Sequence, residues 1–191
     1  MYSTGIFIGR ESEITELKNL HKKQGSHICI VFGRRRVGKT ELIRHAYNDP
    51  KMLSFEGIED KSKREQISNF VFQLEYQTGK KIRNKSAIRS WARAFSELIP
   101  HTKDGKIVIL LDELQWMANY RTDLVSNLKM IWDQYLSRTN NVTLVLCGSI
   151  ASFMEKKVLK SRALYGRTDL CIHLKPFQIW ETAKFFPNRS D

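Results

Sequence analysis

A three-layer α/β domain built on a parallel sheet is the fold class that the sequence predicts, and three observations predict it. A short apolar segment, Ile28-Cys29-Ile30-Val31-Phe32, runs into a glycine-bounded turn and then into a helix. Two further apolar runs, Ile107 to Leu111 and Asn141 to Cys147, are continuous rather than alternating, as expected of strands buried on both faces. Segments of helical periodicity separate these runs. Strands that alternate with helices pair in parallel, with helices on both sides.

In chain order, Gly9-Arg10-Glu11-Ser12-Glu13 opens an amphipathic helix with Ile14, Leu17 and Leu20 on its buried face, and Gly25 ends it. The first strand and the glycine turn follow, then a helix from Glu41 to Tyr47 stopped by Asn48-Asp49-Pro50. Met52 to Phe55 reads as a second strand. Ser62 to Tyr76 reads as a helix with Ile67, Phe70, Val71 and Leu74 inward, ended by Gly79. Ser86 to Ile99 reads as another helix, closed by Pro100. The strand at 107–111 comes next, then a loop or short helix from Leu114 to Met117 and a long helix from Thr122 to Leu136. The 141–147 strand, a short helix around Phe153-Met154, and a fifth strand over Leu170-Cys171-Ile172-His173-Leu174 complete the order.

The glycine turn, Gly33-Arg34-Arg35-Arg36-Val37-Gly38-Lys39-Thr40, fits the phosphate-binding pattern G-x-x-x-x-G-K-[ST] in the strand–loop–helix context it requires. Backbone N–H groups of such a loop, together with a helix N-terminus, meet phosphate oxygens. Lys39 is expected to reach the β- and γ-phosphates, and Thr40 to offer its hydroxyl to Mg²⁺. Asp112 and Glu113 end the buried run 107–111, at the strand edge where open α/β sheets hold their ligands. Asp112 fits the Walker B metal role and Glu113 the base that polarises water. Alone, the pair reads equally as a solvated, dipole-favoured helix start; the glycine loop upstream decides for the functional reading. Glu113 also argues against a small-molecule kinase, which needs no hydrolytic base there. Gly148-Ser149 closes the next strand, where Ser149 reads either as a γ-phosphate sensor or as a turn serine.

Composition bounds the rest. At 191 residues and 41% hydrophobic content the chain supports one sizeable core. Residues 1–10 lack the basic and apolar regions of a signal peptide, and no apolar run approaches the roughly 20 residues of a membrane span. Cys29, Cys147 and Cys171 fall in expected strands without metal-type spacing and read as buried thiols of a cytoplasmic protein. The five histidines form no ligand pattern. The net charge of +12 is concentrated in residues 61–106, which hold 11 basic and 4 acidic groups. There Lys81, Lys85, Arg89 and Arg93 recur every four residues. On a helix they would form one basic face beside Trp91, which reads equally as a footprint for double-stranded DNA or as a solvated face.

These segments together resemble the archaeal-type ATPases related to AAA+ proteins, the STAND and origin-recognition-like group. The match is carried by Phe7-Ile8-Gly9-Arg10-Glu11, the 33–40 loop with its triple arginine, Leu111-Asp112-Glu113-Leu114-Gln115-Trp116, Cys147-Gly148-Ser149, and Leu164-Tyr165-Gly166-Arg167 followed by Leu174-Lys175-Pro176-Phe177. The resemblance implies a P-loop core over 1–175 with a five-stranded sheet in the order 5-1-4-3-2, and a helical lid that begins within 176–191 and is cut short. It implies ATP and Mg²⁺ as ligands, Gly9 and Arg10 near the adenine edge, Ser149 at the sensor 1 position, and Arg167 as an arginine finger on its own or a neighbouring subunit's nucleotide, hence a homo-oligomer. A surface arginine at a strand entry is the other reading of Arg167. No sensor 2 arginine is visible. The function expected is Mg-dependent hydrolysis of the ATP β–γ bond; the alternative is an ATP-gated switch or DNA-binding module with little intrinsic turnover.

Overall fold

The computed structural model describes residues 7–48, 51–183 and 185. Five parallel strands form one sheet: β1 (His27–Phe32), β2 (Lys51–Glu56), β3 (Ile107–Asp112), β4 (Val142–Gly148) and β5 (Thr168–His173), in the order β2-β3-β4-β1-β5. This is the order 5-1-4-3-2 that the resemblance implies, and it places β4 between the strand of the glycine loop and the strand of Asp112.

The apolar runs are continuous because each central strand feeds two cores. Ile28, Ile30, Ile107, Ile109, Leu111, Leu144 and Leu146 point into one cluster, and Cys29, Val31, Val108, Leu110, Val145 and Cys147 into the other. The second face is covered by α1 (Glu11–Lys22) and α2 (Lys39–Ala46), through Leu17, Leu20, Leu42 and Ile43. The first is covered by α3 (Lys63–Thr78), α4 (Trp91–Ser96), α5 (Leu114–Met117) and α6 (Asp123–Gln134); Phe70 stacks on Phe55 and meets the stacked pair Trp91–Phe95 edge-on. The helix α7 (Ala151–Phe153) passes directly into a π-helical turn over Met154–Leu159. After β5 comes α8 (Ile179–Ala183); residues 184 and 186–191 of the expected lid, and Asp49-Pro50 of the expected helix stop, lie outside the described residues.

Local chemistry sets the boundaries of α3. Ser62 and Glu65 form a reciprocal capping box, and the hydrogen bonds that Ser62 donates to the Glu65 carboxylate hold its pKa at about 2. Gly79 stops the helix in the left-handed region.

The single helix expected over 86–99 is not there. A 3₁₀ turn (Lys85–Ala87), an extended step and the short α4 replace it. Two contacts break it. The Glu75 carboxylate on α3 accepts the Ile82 N–H at 2.7 Å and pairs with Lys85, tying down the connection, and those partners hold the Glu75 carboxyl below its ordinary pKa. Ser90 then starts α4 by accepting the Arg93 N–H at 3.3 Å. The basic stripe is therefore corrected: Lys81 lies in a loop, Lys85 is spent on Glu75, Arg89 donates to the Ser86 carbonyl, and Arg93 lies 3.7 Å from Glu97. Trp91 is buried rather than beside them. Cys171 is a second correction. Its strand β5 is an edge covered on one face, so Cys171 is exposed while Cys29 and Cys147 are buried.

The opposite edge, β2, is masked by amides. Gln66, Gln73 and Gln77 on α3 each clasp one β2-side residue at both backbone groups: Gln77 on Ser54 (2.8 and 2.8 Å), Gln73 on Glu56 (2.9 and 3.1 Å) and Gln66 on Ile58 (3.1 and 2.5 Å). Alternate residues of a strand turn the same edge outward, and an open edge invites pairing with another chain. The double variant Gln73→Ala/Gln77→Ala is expected to lose about 2 kcal/mol in all, lowering Tm by about 4–8 °C, and to self-associate. A monomer by light scattering with an unchanged Tm would show the clasp to be idle.

Candidate active site

The glycine loop leaves β1 at the C-terminal edge of the sheet. Gly38 has φ 89°, a conformation that favours glycine, and serves as the N-cap of α2, so the loop turns directly into that helix. Lys39 is 5% exposed and folds over its own loop, its Nζ donating to the carbonyls of Gly33 (3.1 Å) and Arg34 (3.0 Å). An ammonium carries three donors, so one remains for a ligand oxygen. Thr40 donates its hydroxyl to Asp112 Oδ2 at 2.6 Å, and Asp112 Oδ1 accepts the Glu113 N–H at 2.9 Å. The metal pair expected from sequence is thus in direct contact. A hydroxyl and a carboxylate are the hard oxygen donors that suit Mg²⁺, which takes one or two such protein ligands and completes its shell with phosphates and water.

Glu113 has φ 47° and ψ 48°, a left-handed conformation uncommon for a side-chain-bearing residue. Its Oε2 accepts from Ser149 Oγ at 2.7 Å and from Gln115 Nε2 at 2.5 Å. Ser149 reaches it because β4 lies beside β3. Two participants escaped the sequence reading. Gln115, fully buried, donates also to Ser149 Oγ (2.9 Å) and accepts the Ser149 N–H (3.3 Å); its only trace in sequence is a polar residue within the apolar Leu114-Gln115-Trp116-Met117. Glu56, in register with Asp112, adds a third carboxylate at this edge. Burial, reinforced by the charges of Asp112 and Glu113, raises its pKa. The Cys147 thiol beside Asp112 is pushed well up by burial, which makes it a packing group rather than a nucleophile.

Beside the loop, residues 34–38 with Pro176 and Phe177 line a hollow of about 410 Å³, within the range of small-ligand sites. Gly9 and Arg10 stand at its rim. The Arg10 guanidinium lies 4.1 Å from the Phe177 ring centroid and donates to the Lys175 carbonyl at 2.6 Å, and Gly9 lies against the same ring. Arg34, Arg35, Arg36 and Gly38 are exposed and Val37 half-buried. Arg35 lies over the Trp116 ring (5.1 Å) and 3.6 Å from Glu59.

Arg167 is not brought to this site. It makes a bidentate pair with Asp133 on α6 (2.8 and 3.0 Å). The next residue, Thr168, pairs with Ile28 near the start of β1, so Arg167 enters the sheet at the edge opposite the glycine loop, roughly 15–20 Å away along the strand.

The comparisons agree with this geometry. A family model described as an ATPase domain predominantly from Archaea matches residues 7–190. An uncharacterized protein of Methanocaldococcus jannaschii is 27% identical over 186 residues, 95% of this chain and 38% of its own length. The Walker-type ATPase PABY2304 of Pyrococcus abyssi superposes with TM-score 0.67 at 21% identity, over 95% of this chain and 57% of that one. The ADP form of the Aeropyrum pernix ORC2 protein gives TM-score 0.68 at 16% identity, over 98% and 53%. This chain thus spans between about two fifths and three fifths of these relatives. With its P-loop, its Asp112-Glu113 edge and its sheet order in place, the chain belongs to the family of ATPase domains found predominantly in Archaea.

Proposed function

We propose that this domain binds Mg²⁺·ATP and hydrolyses its β–γ bond. The observation that carries the reading is the convergence, on one sheet edge, of Lys39, the Thr40–Asp112 pair and the Glu113–Ser149 pair. Glu113 accepts a proton from water as the water oxygen bonds to the γ-phosphorus; the bond from that phosphorus to the β–γ bridging oxygen breaks, and ADP leaves with the electron pair. Lys39 and the loop amides stabilise negative charge on the transferred phosphoryl group. Thr40 and Asp112 would hold Mg²⁺, which when bound neutralises charge on the phosphate oxygens. Ser149 orients the γ-phosphate, and the hollow between the loop, Pro176 and Phe177 takes the base and sugar, with Arg10 fixing the Phe177 ring. Pro176, Phe177 and α8 (Ile179–Ala183) are read as the start of a lid beside this hollow.

We assign Arg167 to a neighbouring copy's nucleotide, because its own loop is out of reach. The test is Mg²⁺-dependent phosphate release from ATP across protein concentrations. Specific activity is expected to rise with concentration, and to do so less in Arg167→Ala. Flat, measurable activity would remove the assignment in trans. Nucleotide binding with no turnover at any concentration would replace hydrolysis by the switch reading. Residues 61–106 keep their charge excess, and Arg64 lines a hollow of about 310 Å³ together with Lys63, which also pairs with Asp123, and Arg89, whose Nε alone is engaged by the Ser86 carbonyl. This supports a polyanion such as duplex DNA as a second ligand. Stimulation of the same assay by duplex that fades with salt is the expected result; indifference at low salt removes it.

A further inference from the structure

Gln115 is a buried polar side chain, in contact with Glu113 and Ser149, that the reaction above leaves without a task. It has no exposed surface, yet all three of its amide hydrogen bonds go to just two residues, Glu113 and Ser149. The amide group has two N–H donors and one carbonyl. One donor goes to Glu113 Oε2, the other to Ser149 Oγ, and the carbonyl takes the Ser149 N–H. Ser149 Oγ closes the triangle by donating to the same Glu113 oxygen. An amide buried among apolar neighbours is costly unless satisfied, and this one is satisfied only by the base and the serine.

The surrounding backbone is shaped for the arrangement. A Cβ on Gly148 would lie 2.5 Å from Met154 Sδ and 2.8 Å from Gln115 Oε1, and one on Gly57 would lie 2.8 Å from both the Glu113 carbonyl and Met117. Gly148 thus lets Gln115 and Met154 pack against the end of β4, and Gly57 lets the Glu113 backbone approach the end of β2. A carboxylate of the same shape at 115 would set like charge against Glu113, and an aliphatic side chain would leave both partners short of a bond. Only a primary amide of this length serves both ends.

We propose that Gln115 is the positioning residue that couples the Ser149 hydroxyl to the Glu113 carboxylate. A γ-phosphate oxygen that accepts the Ser149 hydroxyl withdraws one of the two donors on Glu113 Oε2 and frees that lone pair for water. The Gln115 N–H remains and holds the carboxylate in line. The orientation of the base thereby depends on whether the terminal phosphate of a nucleoside triphosphate is engaged, which discriminates it from a diphosphate. The proposal rests on the reading of Glu113 as the base.

The test is steady-state turnover and nucleotide affinity for Gln115→Leu, with Gln115→Asn as a second variant that keeps an amide but retracts it. For both, kcat is expected to fall about 10- to 100-fold, as for a misplaced catalytic group, while KM and the ATP dissociation constant stay within about twofold. In a double-mutant cycle with Ser149→Ala, losses through one shared carboxylate are expected to be strongly non-additive. Unchanged kcat in both variants, losses shared between kcat and affinity, or fully additive losses would each overturn the proposal. If Glu113→Gln retains full turnover, the base assignment itself fails. A Glu113→Gln loss alongside unimpaired Gln115 variants overturns this proposal alone.

Discussion

Lys39→Ala is expected to abolish measurable ATP binding. The side chain is 5% exposed and its ammonium is held over the loop by the Gly33 and Arg34 carbonyls, so its charge is already placed where the β- and γ-phosphates would lie. A hydrogen bond to a charged group contributes about 1.5–3 kcal/mol, and the one donor left free by the two carbonyls is joined by the full positive charge acting on both phosphates. A loss of about 3 kcal/mol or more weakens binding by at least about 100-fold. The three adjacent arginines do not compensate, because Arg34, Arg35 and Arg36 are exposed, and Arg35 is engaged with Trp116 and Glu59. Lys39→Arg is expected to fail as well: a planar fork does not fit the position of a compact ammonium packed on two carbonyls. Titration calorimetry measures this directly. A dissociation constant within threefold of the unaltered protein would mean that the nucleotide does not sit on this loop.

How much of this was legible in the sequence follows from how local each determinant is. The glycine loop, the Thr40–Asp112 partnership and the Glu113–Ser149 proximity belong to residues at strand ends, and their meeting depends only on strand order. The continuous runs at 107–111 and 142–147 announced strands buried on both faces, and both strands lie between two helical layers. The Gly148-Ser149 turn gained its meaning from β4 lying next to β3, which the resemblance implied and periodicity alone did not.

The readings that failed depended on side chains distant in sequence. The spacing Lys81, Lys85, Arg89, Arg93 is perfect for a helix, but Glu75 recruits both the Ile82 N–H and Lys85 across the α3 turn, and spacing carries no trace of that. Inside the run, Ser90 caps α4 and so sets its start. Cys171 was misplaced because an apolar pentad does not say whether its strand lies at the sheet's centre or edge. Gln115 and Glu56 stayed hidden for a related reason. Each matters through a neighbour on another element, Ser149 for one and Asp112 for the other.

Glu113→Gln is expected to keep nucleotide binding and lose turnover, by about 10²- to 10⁴-fold in kcat, the range of a positioned general base. The substitution is close to isosteric, and a carboxamide oxygen still accepts from Ser149 and Gln115, so the triangle and its left-handed backbone step persist. The groups proposed to hold the polyphosphate and its metal, Lys39, Thr40 and Asp112, are untouched. The local field changes in favour of the ligand. Glu56, Asp112 and Glu113 crowd one edge, enough that the latter two reinforce the raised pKa of Glu56, and removing one negative charge lessens repulsion of an anionic phosphate chain. ATP is therefore expected to bind as tightly or up to a few fold more tightly, and the variant to trap unhydrolysed nucleotide. Single-turnover phosphate release separates this from a binding defect. Intact turnover would assign water activation elsewhere, with Glu56 as the nearest alternative carboxylate. A parallel loss of binding would mean that Glu113 holds the fold of the site and not the attacking water.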